Sequence, residues 1–294
     1  YNNILIDDSD KIIHSMVQKS TGTLFAGFAD GSVKALCLND NGVYTKAPSS
    51  VFPSNSIQSG SKIHSMAVHP FIPNFLIVGL TDGQILVWDA QKGKSSQRTD
   101  LLSSDVIIIK WLAFGRVLVL ADAVGRVIIS AFDPKTFELK SIQKVQRTGR
   151  IVNIEERSAC TQNFYLNQQT SEDQDRIYQT IGSGPLEIMI AYDRGEVVLV
   201  NDIQKIEVIA NIPSGIFKMF YFQECDIGAI LSPVGDLVVF GFDNLGWRAK
   251  KIIISKTKLE FLSSAGVCAL HCGKIAYVNT TGSQIKIFDV IQQV

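Results

Sequence analysis

Helix signals are nearly missing from this sequence. No segment keeps a 3.6-residue apolar period with end caps for three turns, so helices do not build its core. Charge is scarce too: Asp, Glu, Lys and Arg make up 19% of the 294 residues, below the roughly 25% of an ordinary domain. With 46% apolar residues the chain has ample material for a core, and disorder is excluded for most of its length. Neither sign is in excess, with 28 basic against 28 acidic side chains. Unassisted binders of nucleic acid or anionic membrane usually carry net positive charge or a basic stripe, so both partners are disfavoured.

Cysteine is sparse and odd in number: Cys37, Cys160, Cys225, Cys268 and Cys272. Such wide spacings do not make a secreted disulfide framework, and a reducing, cytoplasmic location is expected. The first ten residues, Tyr1 to Asp10, are polar and acidic, unlike a signal peptide. A chain that opens on Tyr1 instead of Met reads as a piece of something longer. The most apolar stretch, Asp105 to Phe132, is broken by Lys110, Arg116, Asp122 and Arg126, so no run approaches the roughly 20 residues of a membrane span.

What is present is a repeat. An apolar run, a Gly-containing turn and an alternating apolar run ending in Asp or Asn recur at 24–39, 75–89, 117–133, 188–201, 228–243 and 274–289. The turn glycines are Gly31, Gly83, Gly125, Gly195, Gly235 and Gly282. Most are separated by roughly 40 to 50 residues, with a wider gap between Gly125 and Gly195. Each copy has the composition of a β-hairpin, with Val, Ile, Phe and Leu flanking a turn that needs positive φ. Further apolar stretches precede the hairpins at 12–17, 62–68, 106–112, 215–222 and 266–270. Others follow them at 139–145, 205–212 and 249–256. Four strands per repeat of this length predict an all-β fold of four-stranded propeller blades.

On these residues the sequence resembles the WD40 family of β-propellers. Trp88-Asp89 matches the family's Trp-Asp dipeptide, and Leu38-Asn39, Phe132-Asp133, Val200-Asn201, Phe242-Asp243 and Phe288-Asp289 are degenerate forms of it. Asp30-Gly31 and Asp82-Gly83 match the hairpin Asp, and Val68-His69-Pro70 looks like the loop after an innermost strand. The family's Gly-His dipeptide is missing, so strand burial is expected to supply most of the stability. The resemblance implies one closed propeller over 1–294, with seven blades favoured and six the alternative. It also implies an N-terminal strand, Asn3–Asp7, that completes the last blade against 285–290. The wide gap contains two innermost-strand candidates, 150–155 and 175–181. Segments 42–60 and 155–184, rich in Ser, Gln, Asn and Asp, read as long loops or insertions.

Candidate chemistry is thin. Cys268, His271 and Cys272 do not make a metal site, because a strand sends His271 to the opposite face and no second Cys/His cluster completes the ligands. Gly182-Ser183-Gly184 lacks the Lys and helix of a phosphate loop, and no nucleophile elbow or His-Glu-x-x-His is present. No cofactor is implied. His14 and His64 occupy the same place in two Ile-His-Ser-Met copies at the start of innermost strands, and Lys110 and Lys218 fall near that place in later ones. With Phe28 and Tyr192 they are the candidate protein-binding residues of a channel mouth, whose ordinary alternative is a water-lined channel wall. Basic runs at 140–150 and 247–258 fall on outermost strands, where Lys discourages edge pairing.

The resemblance implies a non-catalytic interaction scaffold within a larger intracellular complex. Its partners would be other protein subunits, as in the N-terminal propellers of coat, tether and intraflagellar-transport subunits. A reader of short modified peptides, which needs an Arg cluster or an aromatic cage (Phe28, Tyr192, Trp111), and a propeller hydrolase are the alternatives.

Overall fold

A computed structural model of the chain describes residues 13–18, 23–28, 32–38, 44–51, 61–72, 75–89, 94–98, 101–133, 136, 138–157, 187–201, 205–243, 250–270 and 273–293. The chain divides into two compact units, 1–146 and 147–294. Each carries three antiparallel sheets whose strands follow one another in chain order.

In the first unit the sheets are β1 (Ile13–Gln18), β2 (Thr23–Phe28), β3 (Val33–Leu38) and β4 (Tyr44–Val51); β5 (Ile63–Val68), β6 (Phe75–Leu80), β7 (Ile85–Asp89) and β8 (Lys94–Arg98); and β9 (Val106–Leu112), β10 (Val117–Asp122), β11 (Arg126–Asp133) and β12 (Glu138–Gln146). In the second they are β13 (Ile151–Glu156), β14 (Glu187–Tyr192), β15 (Glu196–Asn201) and β16 (Lys205–Asn211); β17 (Lys218–Phe222), β18 (Ile227–Leu231), β19 (Asp236–Asp243) and β20 (Lys250–Lys258); and a three-stranded sheet of β21 (Val267–Leu270), β22 (Lys274–Val278) and β23 (Ile285–Asp289). The only helical pieces among the described residues are three short 3-10 turns.

Burial explains the sequence pattern. The second strands β6, β10, β14 and β18 are buried at every position, and β6 and β18 each pack against a neighbouring sheet on both faces. They therefore read as continuous apolar runs. The outer strand β12 buries Leu139 and Val145 but exposes Glu138, Lys140, Lys144 and Gln146. Within the first unit, Phe25 and Val33 of the first sheet pack with Leu76 and Trp88 of the second, and the Phe25 and Trp88 rings meet edge to face at 6.1 Å. Ile77 and Val87 of the second sheet pack with Leu118 and Ile128 of the third. In the second unit, Met189 and Leu199 meet Met219 and Ile230, and Phe220 and Leu231 meet Ile275 and Tyr277. Burying each such side chain contributes about 1.5–3 kcal/mol. Gly83, Gly125, Gly195, Gly235 and Gly282 all have positive φ, as tight hairpin turns require.

One expectation changes. Segment 42–60 was expected to be a loop, yet 44–51 is β4, the fourth strand of the first sheet. The first innermost-strand candidate of the wide gap is β13, which pairs directly with β14, from Glu156 opposite Ile188 to Ile151 opposite Tyr192, so both belong to one sheet. The described residues form six sheets. The second innermost-strand candidate, 175–181, and the closing strand Asn3–Asp7 lie outside the described residues, as does most of the insertion expected at 155–184.

Candidate functional site

The first strands share a local irregularity. In β1 the register jumps between Ile13 and Ser15, in β5 between Ile63 and Ser65, and in β13 between Ile151 and Asn153. In β9, Ile108 pairs with Ala121 while Val106 pairs with Asp122. Each jump is a β-bulge one residue into the strand, and the bulged residues are His14, His64, Ile107 and Val152. A bulge re-aims its side chain and ends regular pairing. It is preceded by a residue anchored opposite the one that opens the hairpin turn: Ile63 opposite Leu80, Val106 opposite Asp122 and Ile151 opposite Tyr192.

Within each sheet the strand start lies beside the hairpin turn, and the two make up that sheet's rim. The chain leading into β5 is pinned to the β6–β7 turn, with Thr81 N–H donating to the Lys62 carbonyl at 3.0 Å and Lys62 N–H to Thr81 Oγ1 at 3.1 Å. The Ser61 hydroxyl donates to the Asp82 carboxylate, whose other oxygen accepts from Gln84 N–H at 3.0 Å. In the second unit Asp193 does the same work, accepting from Arg150 N–H at 2.9 Å. Ser214 reaches Asp236 at 3.3 Å. The acids sit at different offsets in their turns but tie turn to lead-in each time.

His64 is the exposed side chain these pins present. Its Nδ1 lies 3.7 Å from Asp105 Oδ2, with 39% and 42% of the two side chains exposed. Beneath it, the Ser65 hydroxyl donates to the Val106 carbonyl at 2.5 Å, joining β5 to β9. An exposed pair of this kind is worth at most about 1 kcal/mol to stability, so its place is not explained by the fold's stability.

The other candidates fall elsewhere. His14 stands at the equivalent bulge of β1. Lys110 pairs with Val119 and so lies deeper along β9, at the level of Ala67 in β5, and it is half-buried. Lys218 opens β17 opposite Leu231, at the level of Ser65, and is exposed. Phe28 and Tyr192 are fully buried. Each opens a hairpin turn opposite a first-strand anchor, which places it in the core and leaves no ring face for a partner. Trp111 is likewise packed, 4.7 Å from the His69 ring and 5.2 Å from Phe132. Asp82 was marked in the sequence as a hairpin Asp, whereas Asp105 and Lys62 were not singled out; the signal for Asp105 was an acid placed just ahead of an apolar strand.

At the other end of β5, His69 is buried at 4% exposure. Its Nδ1 accepts from Phe71 N–H at 3.1 Å and from Ile72 N–H at 2.9 Å. The proton must therefore sit on Nε2, which donates to the Gly115 carbonyl at 2.9 Å. This holds the loop after β5 to the β9–β10 connection, with Phe75 and Phe132 packed around the ring. The loop expected at Val68-His69-Pro70 is there.

The carboxylates Glu187 and Asp226 meet in the second unit, but on Arg157. Its guanidinium donates to Glu187 Oε2 at 2.6 Å, to Asp226 Oδ1 at 2.8 Å through Nε, and to Asp226 Oδ2. Burial by itself would lower the Arg157 pKa; the hydrogen bonds to Asp226 and then Glu187 outweigh it and raise the pKa well above the ordinary value. Both acids are thereby engaged as fixed counter-ions. No group of three His, Cys, Asp or Glu side chains suited to a metal occurs among the described residues.

No protein-family model matches the chain. Its structure is similar to the crystal structure of Sqt1 from Saccharomyces cerevisiae, with a TM-score of 0.56 over 94% of this chain and 72% of that one, at 15% identity. The likeness shows a WD40-like propeller fold. In all, 1508 solved chains match it, and a fold so widely shared fixes no single activity. No helix among the described residues is long and apolar enough to cross a membrane.

Proposed function

We propose that the chain is a non-catalytic scaffold for protein–protein contacts, recognising its partner through the rim at the starts of the first strands. The observation that carries this reading is the exposed His64–Asp105 pair, raised by a bulge on sheets whose second strands are buried throughout. A rigid base lowers the ordering cost of binding, and polar groups on pinned turns give orientation. The finer reading is a subunit of a larger intracellular assembly, of coat, tether or intraflagellar-transport type, with protein partners and no cofactor. A reader of modified peptides would need exposed aromatic faces, and burial of Phe28 and Tyr192 disfavours a cage built on them.

The test is quantitative co-isolation from the source cells with wild-type bait and a His14→Ala, His64→Ala, Lys110→Ala variant of unchanged circular dichroism. Loss of a partner by about ten-fold, the effect of removing one hot spot, is the expected result. An identical partner set at equal yields would sink the rim reading.

A further inference from the structure

Exposed large apolar side chains are not spread evenly over the described residues. Phe71, Val124, Val208 and Val234 stand singly, as on any protein surface, whereas Leu270, Ile285, Ile287 and Ile291 fall in or beside one sheet, β21–β23. Cross-strand register sorts that sheet into two faces. Ile275, Tyr277 and Phe288 lie on the face that packs against β17–β20. Alternate residues make the other face, with Ala276 opposite Ile287, Val278 opposite Ile285 and Lys274 opposite Asp289. This second face is open: Ile285 and Ile287 are 76% and 63% exposed, and β22 alternates between partly exposed and buried positions.

The open face has the composition of a packed one. On the neighbouring sheet Ala229 pairs with Val239 and Leu231 with Leu237, the same order of residue sizes, and those four are buried in the core shared with the three-stranded sheet. Such a face is matched by another sheet face. It is also complementary to itself. About a two-fold axis along the groove between β22 and β23, β22 of one copy lies over β23 of the other. Small Ala276 then meets the partner's Ile287, Val278 the partner's Ile285 and Lys274 the partner's Asp289, each contact occurring twice. Within one chain Lys274 Nζ lies 3.9 Å from Asp289 Oδ2, so both charges sit at one end of the face and neither is left unpaired when two copies meet. We propose that the open face of β21–β23 is a self-association surface whose partner is a second copy of this chain. None of the rim residues takes part. Three strands of four or five residues make a face roughly 15 Å across. That is small beside the roughly 800 Å² per partner of a standard interface, so the dimer is weak, reversible and formed at micromolar concentration or above.

Sedimentation velocity of the full chain from about 1 to 200 µM tests this in the range of a weak interface. The wild type is expected to move from monomer towards dimer as concentration rises. Changing Ile285→Lys and Ile287→Lys together puts two charges on the open face without touching the core. That variant is expected to associate at least about ten-fold more weakly, with an unchanged melting temperature. Ala276→Tyr adds apolar surface but blocks close approach, so it too weakens association. Iodoacetamide labelling of Cys268, which pairs with Ala276 on the same face and is exposed in the single chain, slows as the chain is concentrated. A wild-type chain that stays monomeric over the whole range would overturn the proposal. So would undiminished association of the double-lysine variant, which places the contact elsewhere, or stronger association of Ala276→Tyr, which marks unspecific adhesion.

Discussion

Two side chains show how local chemistry decides structure here. His69 satisfies two backbone donors and one carbonyl with a single neutral ring. Gly115, at φ 81°, brings that carbonyl close, and a Cβ there would fall 2.6 Å from the imidazole. His69→Ala leaves buried backbone groups unpaired and opens a cavity, and should cost about 3 kcal/mol in denaturant unfolding. A cost below about 1 kcal/mol would show that the loop is anchored otherwise. Cys225 makes a chemical prediction. Burial pushes its thiol pKa up, and the charges of Glu224 and Asp226 push it further. Only the thiolate alkylates, so raising the pKa lowers the reactive fraction at pH 8. Peptide mapping should find Cys225 modified by iodoacetamide more slowly than the exposed Cys268, with a rate still climbing above the ordinary thiol range near about 8.5. Equal rates, or a plateau below that range, would contradict the assignment.

At the level of strands, legibility followed burial. First, second and third strands were visible in the sequence because neighbouring sheets force them to be apolar. The edge strands β4 (YTKAPSSV) and β8 (KSSQR) were not, since an outer strand can be polar and still complete a ladder. The bulges were half visible: the repeated Ile-His-Ser-Met marked His14 and His64, but Ile107 and Val152 at the same register carry no polar tag. Phe28 and Tyr192 were misplaced because aromatics beside a Gly turn look exposed in sequence, while the ladder puts them opposite a buried anchor. The ion-pair network of Arg157 with Glu187 and Asp226 was illegible, since its members are far apart in sequence and meet only in three dimensions. The edge lysines give a test at this scale. Lys140 and Lys144 stand exposed on β12, the last strand of its sheet. Replacing both by Val removes the charges that oppose edge pairing, and light scattering should detect more large species than in the wild type. An unchanged size distribution would show that another feature protects this edge.

For the whole molecule, the six described sheets and the likeness to Sqt1 establish a WD40-like fold, and function must come from its surface. Charge balance turned out to be uninformative about the partner because acids and bases alternate locally. Asp82 serves its own lead-in, Glu187 and Asp226 serve Arg157, and Arg147 lies 3.6 Å from Glu196. His64, Asp105 and the exposed Lys62 remain at the rim, whereas Lys140, Lys144, Lys256 and Lys258 mark the outer edges. Lysine-directed cross-linking of the assembly isolated from cells, read by mass spectrometry, separates these surfaces. Rim recognition requires inter-protein links concentrated at Lys62. Links confined to the edge lysines, with Lys62 as reactive in the assembly as in the isolated chain, would contradict it.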